Sequence, residues 1–149
     1  MKHVYTTLFD KNYLAVGLCM IRSLMRNCLF SDPPAIHVLA LDTETERALY
    51  ALELPHLYVT PHSVFQAAYL TTDIQAERTH QEYAWTCASL FTHYIMMGRG
   101  LPVTYLDADL YFFSNPQIIF DEIGDCSIGI IPHRFNDSYS SRYLVTGKF

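Results

Sequence analysis

The sequence has no run of basic residues: its 10 Lys and Arg are scattered and outnumbered by 15 Asp and Glu, giving a formal charge of −5. Clustered cations are what grip a phosphate backbone, so no nucleic-acid partner is expected. The four cysteines, Cys19, Cys28, Cys87 and Cys126, form no CxxC pair. That spacing argues against zinc-ribbon or thiol redox chemistry and fits small apolar side chains in a reducing compartment. The histidines occur singly, without metal-ligand spacing. Residues 1–5 lack the apolar stretch of a secretory leader, and no apolar run approaches the ~20 residues of a membrane span. A cytoplasmic location with no membrane span is expected. The sequence also has no repeat, low-complexity tract or linker, so residues 1–149 are expected to form a single domain.

What is present is a chain half apolar and only 17% charged, enough to bury a substantial core. Residues 3–9 are apolar and β-favouring, followed by turn formers, and predict a strand. Asn12 is placed to cap a helix through residue 26, with Leu14, Leu18, Ile21 and Met25 as its apolar stripe. Gly17, beside that stripe, would let the helix approach a sheet closely. Asp32-Pro33-Pro34 breaks the chain, and residues 36–41 read as a buried second strand. Thr43 and Glu46 have capping-box spacing for a following helix. Residues 57–60 are a weaker third strand, and residues 61–79 a short helix with a polar loop. Residues 81–97 predict a helix with Ala84, Ala88, Phe91 and Ile95 inward, closed by Gly98-Arg99-Gly100.

Residues 103–106 form a further buried strand that runs into Asp107-Ala108-Asp109. Ser114-Asn115-Pro116 starts a short helix to residue 123, and residues 127–131 read as a last strand. Strands alternating with helices predict an α/β fold, a mostly parallel sheet with helices on both faces.

The chemistry concentrates in residues 103–113, where an apolar strand ends in two carboxylates one residue apart. In open α/β sheets ligands sit beyond the carboxyl ends of the strands, where these acids fall. Two neighbouring carboxylates repel each other, and a divalent cation removes that penalty. Mg²⁺ or Mn²⁺ held by one or two carboxylates also takes oxygens from a diphosphate and stabilises charge on a leaving phosphate. The plainer reading makes both acids loop residues, one capping the turn. The missing Gly-rich phosphate loop and GK[ST] segment disfavour a nucleotidyltransferase or phosphoryl-transfer enzyme, which shares paired acids on an α/β sheet.

The blocks Glu82-Tyr83-Ala84-Trp85-Thr86-Cys87 and Thr104-Tyr105-Leu106-Asp107-Ala108-Asp109-Leu110-Tyr111-Phe112-Phe113-Ser114 resemble nucleotide-diphospho-sugar transferases of the GT-A fold. So do the opening Thr7-Leu8-Phe9-Asp10-Lys11-Asn12-Tyr13-Leu14 and the continuation from Pro116 to Gly124-Asp125 and Ile131-Pro132-His133-Arg134. The resemblance implies a GT-A, Rossmann-like sheet and a glycosyltransferase of hexosyltransferase type. Its donor would be a nucleotide-diphosphate sugar, its cofactor Mn²⁺ or Mg²⁺, and its acceptor a glycan, lipid or protein. Asp107 and Asp109 would fall on the metal-binding motif, with Asp107 also meeting the donor. Thr6, Thr7 and Leu8 would lie against the nucleotide base, Asp42 against base or ribose, and Arg78 near the diphosphate, as a similar residue does in glycogenin-like relatives.

Each of these has a plainer alternative. Thr6 and Thr7 fit as ordinary strand residues, Asp42 as the start of a helix, and Arg78 as an exposed loop cation. Tyr83 and Trp85 look like helix–sheet packing rather than a sugar platform. His133 and Arg134 suit either an acceptor or phosphate contact, or a surface turn.

Enzymes of this type are longer than 149 residues. The chain is therefore expected to be a truncated form holding the donor side, with no base or nucleophile assigned. Three origins fit: a cut-down piece, a natural fragment, or a homo-oligomer whose self-association covers an open sheet edge. A catalytically incomplete nucleotide-binding or oligomerisation module derived from such an enzyme is the alternative to a working transferase.

Overall fold

A computed structural model describes residues 3–28, 33–69 and 74–126. The chain divides into two compact units, Met1–Pro116 and Gln117–Phe149. The first contains four strands, β1 (Val4–Phe9), β2 (Ala35–Ala40), β3 (Leu57–Pro61) and β4 (Val103–Tyr105). Its helices are α1 (Leu14–Asn27), α2 (Thr43–Ala51), α3 (His62–Tyr69) and α4 (His80–Arg99). The second unit contributes the short helix α5 (Gln117–Ile123). The strand expected at residues 127–131, with His133 and Arg134, lies outside the described residues.

The sheet is parallel throughout, in the order β3-β2-β1-β4. β1 and β2 are buried at every position, which explains why they lack an apolar–polar alternation, Thr6, Thr7 and His37 being enclosed with the apolar residues. Two crossovers lead from β1 outward to β3, and the chain then returns through α3 and α4 to add β4 on the other side of β1. Right-handed crossovers in opposite directions place α1 and α2 on one face and α3 and α4 on the other. The face beneath α3 and α4 holds the main core, in which Val4, Leu8, Ala35 and Leu39 of the sheet meet Phe65, Cys87 and Phe91.

Two helix starts differ from the sequence expectation, each beside an Asp at a strand tip. α1 begins at Leu14 without a side-chain cap; the Asn12 side chain is bonded back to Asp10, its Nδ2 donating to Oδ2 at 3.0 Å, while Asp10 Oδ1 accepts from Asn12 N and Tyr13 N at 3.0 and 3.2 Å. At α2 the cap is Asp42, whose Oδ1 accepts from Thr45 N at 2.7 Å, and not Thr43. α4 starts with a capping box of Thr79 and Glu82 and ends on Gly100 in the left-handed region.

α1 sits close to the sheet. A Cβ on Gly17 would lie 2.5 Å from Phe9 Cε1, so only glycine admits this approach, as the sequence suggested. The buried stripe of α4 is Tyr83, Cys87, Phe91 and Ile95. Among the described residues no helix is long and apolar enough to cross a membrane.

Candidate functional site

The carboxyl ends of β1, β2 and β4 each lead promptly to an aspartate: Asp10, Asp42 and Asp107. β4 continues its pairing one residue further, with Leu106 N donating to Thr6 O at 2.8 Å, and the chain then turns out of the sheet at Asp107. The acidic loop that follows is fastened to α1. Phe112 N donates to Ser23 Oγ at 3.0 Å, and Phe112 O accepts from Asn27 Nδ2 at 2.8 Å. Ser23 in turn donates to Met20 O at 2.8 Å, which fixes its hydroxyl. Asp107 and Asp109 therefore project from a loop held at both ends.

Above these strand ends lies a cavity of about 550 Å³, within the ~300–1,000 Å³ usual for small-molecule sites. Its lining includes Leu8, Phe9 and Asp10 from the first strand end, Leu41 after β2, and Tyr105, Asp107 and Asp109 from the fourth. Asn12 and Tyr13 close one side, while His80, Gln81, Ala84 and Trp85 of α4 form another wall. Both carboxylates of the DxD triplet are solvent-facing.

Asp10 organises the floor. Its Oδ1 accepts from Asn12 N and Tyr13 N, and its Oδ2 accepts from Asn12 Nδ2 at 3.0 Å and meets His80 Nε2 at 3.1 Å. Burial works to raise the pKa of this carboxyl. Hydrogen bonds from the Asn12 side chain, Tyr13, His80 and the Asn12 backbone outweigh it and hold the group below the ordinary carboxylate range. Asp10 thus ties the N-terminus of α4 to the end of β1. Tyr105 shows the opposite shift. Burial, then the charge of Asp107 and a hydrogen bond to it, then the charge of Asp109, push its phenol up and keep it protonated.

Of the site residues expected from the sequence, the structure brings Leu8, Asp107 and Asp109 to one cavity. Thr6 and Thr7 are fully buried in the sheet, outside the cavity lining. Thr6 Oγ1 pairs with Thr92 Oγ1 at 2.9 Å, while Thr7 Oγ1 has no hydrogen-bond partner among the described residues. Asp42 is committed to local structure, its Oδ2 accepting from Lys11 N at 2.7 Å in addition to the α2 cap. Burial would raise its pKa, but the backbone bonds from Thr45 and Lys11 hold it low. Arg78 is exposed and hydrogen-bonds Thr86 Oγ1.

Trp85 departs from its expected packing role: it is 63% exposed and walls the cavity, while Tyr83 is buried at 3%. Asp10 and His80 escaped the sequence reading. The usable signal for Asp10 was its place directly after a buried strand, the position that had singled out Asp107. For His80 there was none, since its partner lies 70 residues away.

The residues fit a hard divalent cation. Among the described residues no group of three or more His, Cys, Asp or Glu is placed to hold a metal. Magnesium and manganese sites of this kind need only one or two carboxylates, with substrate phosphates and water completing the shell.

The chain is 29% identical over 130 residues to YfnF of Bacillus subtilis (strain 168), covering 86% of this chain and 42% of that protein. It is 28% identical over 148 residues to YfnD of the same strain, covering 97% and 46%. Both are uncharacterised, and the chain spans less than half the length of these curated relatives. Mouse xyloside xylosyltransferase 1 in its apo form superposes with a TM-score of 0.46 at 20% identity, over 83% of this chain and 48% of that one. The profile of the nucleotide-diphospho-sugar transferases matches residues 34–142, a span that takes in α4 and the whole acidic loop, and the chain belongs to that family.

Proposed function

We propose that the cavity binds a nucleoside-diphosphate sugar, with a divalent cation between its diphosphate and Asp107 and Asp109, and that the chain supplies the donor side of sugar transfer. One observation carries the reading. Two solvent-facing carboxylates stand at a strand's carboxyl end, inside a cavity that also offers apolar and aromatic walls. Bare paired acids would repel an anionic ligand; with a cation between them they recruit one.

The cation, when bound, supplies charge neutralisation at the leaving diphosphate. The chain's own residues do the rest. The Tyr105 phenol, kept protonated by its burial and by the charge of Asp107, lines the cavity beside the two acids. Ser23 and Asn27 hold the loop that presents both acids. Leu8 and Leu41 give the cavity an apolar floor at the ends of β1 and β2, suited to a nucleoside.

Calorimetry tests the reading. UDP or GDP is expected to bind the chain in the presence of Mn²⁺, roughly in the micromolar-to-millimolar range usual for enzyme substrates. Asp107→Ala and Asp109→Ala are expected to abolish the Mn²⁺-dependent part. Absence of binding in a folded sample with Mn²⁺ present would overturn it. Release of free sugar from the donor, compared between the wild type and Asp109→Ala, separates a working transferase from a module that only binds.

A further inference from the structure

We propose that the indole of Trp85 is the platform on which the sugar ring of the donor lies. The inference rests on the donor reading above and adds to it the element that discriminates sugar from diphosphate.

Trp85 is the single tryptophan of the sequence and is 63% exposed. Large aromatic side chains are strongly buried on average, so such exposure of the largest needs a reason. It is no stray surface ring, because it walls the same cavity as the two acids.

Helix geometry places it on the side of α4 away from α3. α4 rests on the sheet through Tyr83, Cys87, Phe91 and Ile95. Its Tyr94 flank packs against Phe65 and Tyr69 of α3, with ring centroids 5.9 and 5.7 Å apart, and α3 lies along β2 and β3. Trp85 precedes Tyr94 by nine residues, two and a half turns at about 3.6 residues each, and so occupies the opposite flank. That flank is turned away from α3, and near the N-terminus of α4 it carries Gln81, Ala84 and Trp85 into the cavity. Across the carboxyl edge of the sheet the order is Leu41, then Leu8 and Asp10, then the acids, and Trp85 lines the same cavity from α4. A nucleoside over the ends of β1 and β2 sets its diphosphate at the acids. The sugar, carried on the far phosphate, then meets the flank that Trp85 forms.

The chemistry suits that position. The face of an indole is electrostatically negative; it attracts the polarised C–H bonds of a sugar ring and repels phosphate oxygens. Its contribution should fall on the sugar and leave the diphosphate alone.

Because the sequence has one tryptophan, its emission reports this position only. UDP, GDP, UDP-glucose and GDP-mannose would each be titrated with Mn²⁺ present, by calorimetry and by tryptophan fluorescence. A sugar-bearing nucleotide is expected to change the emission where its nucleoside diphosphate does not. Trp85→Ala should weaken the nucleotide sugar roughly tenfold and leave the nucleoside diphosphate unchanged, while Trp85→Phe keeps most of the affinity. Equal losses for both ligands would assign the ring to the base and overturn the proposal, as would nucleotide-sugar binding that ignores Trp85→Ala. If none of the four ligands binds, the donor reading itself has failed, and this inference falls with it.

Discussion

Gly17 and Phe9 set the spacing between α1 and the sheet, and Phe9 also reaches the cavity wall. A Cβ at position 17 would fall 2.5, 2.7 and 2.8 Å from three carbons of the Phe9 ring, which is itself only 3% exposed. Alanine in a helix interior gains about 1 kcal/mol over glycine. Overpacking a buried ring costs about 1–3 kcal/mol, and here three contacts lie below van der Waals distance at once. Overpacking should win. Gly17→Ala is expected to lower the urea midpoint with an unchanged denaturant slope; a raised midpoint would show that Phe9 moves aside freely.

At the scale of elements, the acidic loop owes its position to α1 rather than to its own sequence. Ser23→Ala would leave Phe112 N without its acceptor, a loss of about 1–3 kcal/mol if the group stays buried. Hydrogen exchange should locate that loss. The Phe112 amide is expected to exchange faster in Ser23→Ala while the amides of α4 keep their protection. Uniform acceleration across the domain would mean that Ser23 matters to general packing and not to the loop.

The same scale shows what the sequence could disclose. The strands were legible because β1 and β2 are mostly apolar and β-favouring, and the two acids because they follow such a run. Asn12 misled as a cap because its side chain is engaged by Asp10, and Thr43 because Asp42 takes the Thr45 N–H first. The stripe of α4 was legible in period and not in phase. Ala84, Ala88, Phe91 and Ile95 describe an apolar face almost as well as Tyr83, Cys87, Phe91 and Ile95 do, and the small rotation between them sends Trp85 out and Tyr83 in. The Asp10–His80 and Ser23–Phe112 contacts join residues 70 and 89 apart, and no local pattern encodes them.

At the scale of the whole molecule, acid stability should be set in two stages. His37 of β2 is 5% exposed and stacked on Tyr58 of β3 at 4.8 Å. Arg99, from the last turn of α4, donates to its Nε2 at 3.3 Å and lies over the Tyr58 ring. The cluster pins the C-terminal end of α4 to the sheet and accepts only a neutral imidazole. Burial first, and the Arg99 charge second, lower the His37 pKa from 6.5 to about 4. The unfolded chain takes up a proton near 6.5 and the folded chain does not until about 4, so acidification through that window favours unfolding. The full shift corresponds to about 3 kcal/mol. Asp10, whose pKa is lowered by its hydrogen bonds, acts in the next window down: its stabilisation is intact above the ordinary carboxylate range and is lost only as pH falls below it. His37→Gln keeps an acceptor for Arg99 and removes the titration. Urea unfolding at pH 7 and pH 4.5 is therefore expected to show the wild type losing more stability than the variant between those two values, while below pH 4 the two curves descend in parallel as Asp10 and the other carboxylates protonate. Parallel curves over the whole range would mean that His37 is free to take a proton in the folded protein, and that the Arg99 clamp does not hold.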